Sequence, residues 1–460
     1  MTAPRHLRLA LSTLVALPVF LSAASAQDKA SDPSLDAKRS ELDQRYAIGP
    51  TPARELGYRI VWQSTLGGPV SRLTKLGDSL FTVSDDEWVG RIDAKTGTII
   101  WNFETVEANH TVWGITEDER FKQAAWGQNN DDNVCVTCDT SVTFLDLGTG
   151  SIVRREKLDK SPSSSVIRSG RNLIYGSHVG QVVWFNYAVG SEWRATQLWG
   201  PINTSPIIAG DFVAAVSSKG NETRKSAARN QTQPNSAGSH DDPKGQRDRQ
   251  RRFWKNVNPE RGEYEAHQRR TSIGMRGGSI GVLNATTSRV QWGWGDKLFE
   301  GIVAEPTFGG GLLFCAGVDQ YLWAFDASRG NVVWKYLATA PLTTSPIYVS
   351  AQTPDDQQLD LVLQWVEGQG LMAFEADAGN TIEGKVVWTI PDARGDSIGM
   401  IQGQVALWDA NAKVLRLIDA GQGSIVKTIP LPQVDSITME GDSIFATGTD
   451  GRVIRLDPVG

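Results

Sequence analysis

The stretch AGVDQYLWAFDASRGNVVW, residues 316–334, has a near copy in SDDEWVGRIDAKTGTIIW at 84–101. Each reads as a short turn, an alternating run, a D-A-x-x-G turn and a second β-branched run closed by Trp. That is a pair of antiparallel strands joined by a tight loop. A lone unit of this kind leaves one apolar face uncovered, so it must stack on others.

Six further copies follow. Their turns start at Asp146, Asn186, Asn284, Glu375, Asp419 and Asp457, with Asp93 and Asp326 completing the set. From Asp93 onward the separations are 53, 40, 98, 42, 49, 44 and 38 residues, a period near 40 with one large insertion and two smaller ones. A second phrase recurs between the turns, as SPSSSV at Ser161, NTSPII at Asn203, EPTFGG at Glu305 and TTSPIYV at Thr343. Proline at the first position of a strand leaves no ladder hydrogen bond unmet. Four short strands per period of about 40 residues is the pattern of propeller blades, and the spacing of three and four that marks helical repeats is absent. The expectation is an all-β, eight-bladed β-propeller of four-stranded antiparallel blades, one domain over 58–460.

The last copy ends after its third strand, while YRIVWQSTL at 58–66 is a strand with no blade of its own. Residues 58–66 are therefore predicted to supply the outer strand of the eighth blade, closing the ring and removing exposed edges. A chain of 460 residues with 40% hydrophobic residues, 46 glycines and 16 tryptophans can bury the core this requires.

Residues 1–26 read as a signal peptide: Arg5 and Arg8, an apolar run through Leu21, then Ala24-Ser25-Ala26, with cleavage between Ala26 and Gln27. No Cys lies near that point to carry a lipid, and no run of 18 apolar residues spans a membrane. The mature chain is expected to be soluble and monomeric, in the periplasm or secreted. Residues 27–57 read as a polar tether with a short helix around 34–45.

Cys135 and Cys138 sit in an alternating strand pattern with no helix to stabilise a thiolate, so they read as structural or as a local disulfide, and Cys315 as a core residue. Thr116 through Ala125 has a helix-compatible composition, with Glu117, Asp118 and Glu119 in its first turn. His110 and His178 are isolated, and Asp131, Asp132 and Asp139 lack the ligand spacing of a calcium loop. No metal site, cofactor or catalytic set is predicted. Asp93, Asp146, Asn186, Asn284, Asp326, Glu375, Asp419 and Asp457 are assigned a structural role: at the head of such a turn an oxygen accepts backbone N–H groups.

Between Lys219 and Arg270 there are 13 Lys or Arg against 7 Asp or Glu, in a chain of net charge −6. This segment, within an insertion at about 219–275, is expected to project from one face, partly disordered. Arg251, Arg252, Phe253, Trp254 and Arg261 are its candidate partner-binding residues. Export and the acidic remainder of the chain argue against nucleic acid.

The recurring D-A-x-x-G-x-x-x-W sentence and the Ser-Pro strand starts resemble the pyrroloquinoline-quinone-type propeller repeat. That repeat is shared by quinoprotein dehydrogenases and by the propeller lipoprotein of the outer-membrane β-barrel assembly machinery. The resemblance covers most of 58–460 and implies that the Trp and Gly of each copy dock neighbouring blades. The dehydrogenase branch implies a quinone, a calcium ion and an adjacent Cys-Cys pair, from which Cys135-x-x-Cys138 departs. The assembly branch implies a non-catalytic scaffold that contacts other envelope proteins, and it is the closer of the two. A surface interaction propeller unrelated to barrel assembly is the further alternative.

Overall fold

The computed structural model describes residues 33–459 except 87, 105–109, 118–132, 199, 219–277, 299–300, 353–356, 378 and 380. Two compact units divide the chain, Met1–Glu41 and Leu42–Gly460. The described part of the first belongs to helix α1 (Pro33–Gln44), where Arg39 pairs with Asp36 at 3.3 Å.

The second unit is a ring of eight four-stranded antiparallel sheets. Blades 1 to 7 occupy residues 70–104, 112–157, 167–197, 207–298, 307–337, 347–390 and 396–430, each with its strands in sequence order from the inner edge outward. Blade 8 takes three strands from 434–458, and its outer strand is β1 (Tyr58–Thr65), paired from Tyr58 opposite Pro458 to Thr65 opposite Arg452. The predicted closure is thus observed.

The two middle strands of each blade are apolar runs, such as Leu312–Ala316 and Tyr321–Asp326, because both of their faces are covered by neighbouring blades. Among the described residues the buried side chains fall into eight clusters, one at each interface between consecutive blades. Cys138 belongs to the cluster between blades 1 and 2 and Cys135 to the one between blades 2 and 3. Three residues apart on one strand, they face opposite ways.

Two expectations change. Thr116 and Glu117 end the inner strand of blade 2, Val112–Glu117, rather than opening a helix; pairing with Asn133–Cys138 overrides their local propensity, and 118–125 lie outside the described residues. The tether is ordered from Leu42 onward: after α2 (Pro50–Glu55), Leu56 is buried, as are Ala47, Ile48 and Ala53. Residues 1–26 with the cleavage point, and 27–32, lie outside the described part.

Candidate functional site

The eight repeated turns explain the recurring sentence. Asp93 Oδ1 accepts the backbone N–H groups of Lys95 and Thr96, at 3.0 and 2.7 Å, and the Thr96 hydroxyl at 2.9 Å. Asp146 takes the N–H of Thr149, Asn186 those of Ala188 and Val189, Asn284 those of Thr286 and Thr287, Asp326 those of Ser328 and Arg329, and Asp419 those of Gly421 and Gln422. Hydrogen bonds from the Thr96 amide and hydroxyl hold the Asp93 carboxyl below its ordinary value. At Asp326 burial pushes the other way, but the Ser328 hydroxyl and the amides of Arg329 and Ser328 outweigh it.

Two positions depart from this pattern. Glu375 heads a turn lengthened to Trp388 and forms an ion pair with Lys385. Asp457 lies within the last strand, where β1 pairs beside it, and accepts Arg455 and the Ser443 hydroxyl.

Seven of these turns, all but that of Asp457, are also sockets. Eight residues after the Asp or Asn, a side chain on the outer strand reaches the following blade and donates to the carbonyl just past the next turn's first residue. Trp101 Nε1 donates to Leu147 at 2.9 Å, Trp292 to Ala327 at 2.8 Å, and Arg154 Nη2 takes the place of Trp on Tyr187 at 2.6 Å. Trp62, Trp334 and Trp388 donate in the same way to Ala94, Ala376 and Ala420. Between blades 3 and 4 the equivalent Arg194 is exposed, and Trp184 from the neighbouring strand reaches Ala285 instead. The Trp rings lie on the turn glycines, so a Cβ on Gly150 would stand 2.6 Å from Trp101 and one on Gly330 2.5 Å from Trp292. Sequence reading missed Arg154 and Trp184 as docking residues; the offset of eight was the signal that would have found Arg154.

The opposite face carries the loops that enter each blade. Asp139 binds the Thr111 amide at 2.8 Å and the Trp113 indole at 2.6 Å, tying the connection into blade 2. His110 Nδ1 lies 3.5 Å from the Thr140 hydroxyl. Burial raises the carboxyl pKa of Glu305, and that of Asp319 against the opposing N–H of Tyr321. Among the described residues no three of His, Cys, Asp or Glu converge as metal ligands.

The surface offers apolar outer strands: Ile99, Ile100 and Phe103 on blade 1, Ile152 and Val153 on blade 2, Val386 and Val387 on blade 6, Ile425 and Val426 on blade 7 are all exposed. Blade 5 has its outer edge covered by the lengthened turn of blade 6, where the Lys335 amide donates to Ile382 at 2.9 Å and the Gly384 amide to Lys335 at 3.0 Å. Turn carboxylates committed to backbone N–H groups, with apolar strands outside, suit contact with other proteins. Arg251, Arg252, Phe253, Trp254 and Arg261 lie outside the described residues. No described helix is long and apolar enough to cross a membrane.

The profile of the family described as outer membrane protein assembly factor BamB matches residues 58–234 and 246–459. Similar solved structures include BamB from Moraxella catarrhalis, 15% identical over 87% of this chain and 97% of that one with a TM-score of 0.53. The computationally designed Ika8 protein is 11% identical over 88% of this chain and 100% of its own, also with a TM-score of 0.53. No curated protein matches.

Proposed function

We propose that this chain, which belongs to the outer membrane protein assembly factor BamB family, is a non-catalytic protein-interaction scaffold that assists assembly of outer-membrane proteins. The observation that carries this reading is the length of the family match, 58–234 and 246–459, which takes in all eight blades. The recurring carboxylates of Asp93, Asp326 and Asp419, the natural suspects for chemistry, are instead occupied in holding turns.

Its partners are other proteins of the bacterial envelope, and the mature chain acts outside the cytoplasm after cleavage between Ala26 and Gln27. The basic insertion provides anchors: Phe253 and Trp254 supply apolar area, and Arg251, Arg252 and Arg261 supply charge toward an acidic partner surface. Ordering costs about 1 to 2 kcal/mol per residue fixed, so a few anchors carry the contact.

Crosslinking in intact cells, followed by capture of the tagged chain and identification of what comes with it, tests the role. Barrel-assembly and outer-membrane proteins are expected. Recovery of an unrelated set of surface proteins would replace the assembly role with that of a general interaction propeller. Capture undiminished in Phe253→Ala/Trp254→Ala would move the contact from the insertion to the blade surfaces.

A further inference from the structure

At seven blade interfaces a side chain of one blade donates to a turn carbonyl of the next. The interface between blades 7 and 8 has no such turn, because strand Arg452–Pro458 and β1 are joined only through the sheet. Lys427 stands eight residues after Asp419, where the other blades carry Trp or Arg, and its Nζ donates to the carbonyl of Glu55, the last residue of α2.

The segment before β1 fills the place of the missing turn. Ile48, Ala53 and Leu56 are buried in one cluster with Ile401, Leu417 and Ile429 of blade 7, Leu431 of the connection that follows it, and Val434, Ile444 and Leu456 of blade 8. Polar contacts register it at both ends. The Ala47 amide donates to Gln63 Oε1 at 2.9 Å, Gln63 Nε2 returns a bond to the Arg45 carbonyl at 3.0 Å, and Arg452 Nη1 reaches the Gln44 carbonyl at 3.1 Å. The Val459 amide donates to the Gly57 carbonyl at 2.9 Å, and a Cβ on Gly57 would stand 2.2 Å from Gln402 Nε2.

We propose that the groove between blades 7 and 8 is a peptide-binding site whose occupant is this chain's own segment 45–57, a clasp separable from the β1 ladder. The site takes an apolar side chain followed by a single helical turn, whose final carbonyl meets Lys427 as lysines meet the last carbonyls of longer helices. The backbone ladder of β1 holds the ring shut, and the clasp seals the apolar seam that the absent turn leaves open.

Hydrogen exchange of the full chain, read by mass spectrometry, tests this with Ile48→Asp, which ejects the clasp, and Lys427→Met, which keeps the apolar stem and removes only the bond to Glu55. Both variants are expected to exchange faster in 45–57 and in 401–404 and 429–434, by at least about tenfold in Ile48→Asp, with the pairing of β1 to Arg452–Pro458 unchanged. A synthetic peptide of residues 45–57 should restore protection to Ile48→Asp. If the β1 ladder loosens in step with the clasp in both variants, or if the peptide at about millimolar concentration restores nothing, the separable site is overturned.

Discussion

The indole of Trp62 donates to the carbonyl of Ala94 at 3.0 Å while its ring lies against Gly97. The first strand of the ring thereby grips the first blade's turn as well as completing the last blade's sheet. One side chain serves both the closure of the ring and the docking of its neighbours, and the same pairing recurs between consecutive blades. The consequences are measurable.

Trp334 is fully buried and donates to Ala376 at 2.8 Å. Trp334→Phe keeps most of the apolar area but leaves that carbonyl without its donor, and is expected to cost about 1 to 3 kcal/mol. Trp334→Ala should cost about 3 to 5 kcal/mol. Urea denaturation of the two variants gives both numbers, and parental stability in Trp334→Phe would mean that the indole N–H contributes nothing.

Gly97 has φ +76, and a Cβ there would lie 2.6 Å from the Trp62 ring, whereas Gly441 has φ +59 and open space around it. Gly441→Ala should cost only the left-handed strain, about 1 to 2 kcal/mol. Gly97→Ala is expected to cost more, since the ring must also move. Melting temperatures compared between the pair separate strain from the socket.

Burial raises the carboxyl pKa of Glu305 above its ordinary value. The protonated form is the one favoured by folding, so this group's contribution is fully present below the ordinary glutamate value and is lost as pH rises through the raised one. Glu305→Gln should therefore be more stable than the parent at neutral pH, and the advantage should vanish at about pH 4. A difference in urea midpoint that grew on acidification would contradict this environment for Glu305.

Asp326 has the opposite sign. Burial is outweighed by the Ser328 and Arg329 hydrogen bonds, so its carboxyl sits low, and its contribution is present above the ordinary aspartate value and lost as pH falls through the lowered one. Asp326→Asn keeps an acceptor oxygen of the kind that Asn186 and Asn284 already use. Near-parental stability at neutral pH is expected, with a flatter loss below about pH 4. The check is a series of denaturation curves across that range.

Deleting residues 57–66 removes the whole β1 ladder and Trp62 together. A sharp fall in Tm is expected, because an outer edge and an apolar interface are exposed at once. A deletion variant melting within about a degree or two of the full chain would show that the ring does not depend on this closure, since one kcal/mol already shifts domains by a few degrees.

Much of this was legible without coordinates because the decisive signals are local. An Asp or Asn at the head of a tight turn, a glycine four residues on and a β-branched run carry their chemistry within a dozen residues, so eight blades, their turns and the need for 58–66 to complete the last one could be read from spacing. The partners of those groups could not. Nothing near Trp101 names the carbonyl of Leu147, and the offset of eight that aligns Arg154 and Lys427 with the Trp of other blades does not name the carbonyl that each one meets.

The exceptions have the same origin. Glu375 turns to Lys385 because its longer loop pairs with the edge of blade 5, and Asp457 turns to Arg455 within a strand that β1 pairs beside. Residues 42–57 are polar enough to pass for a tether, yet Ile48 and Leu56 are buried because the seam between blades 7 and 8 lacks a turn. The repeat, the strands and the ring follow from period-two patterning and turn chemistry, which act between near neighbours and so are written in the order of residues. Which carbonyl each docking side chain meets, and what seals the ring, depends on contacts between residues dozens to hundreds apart that exist only once the blades are stacked.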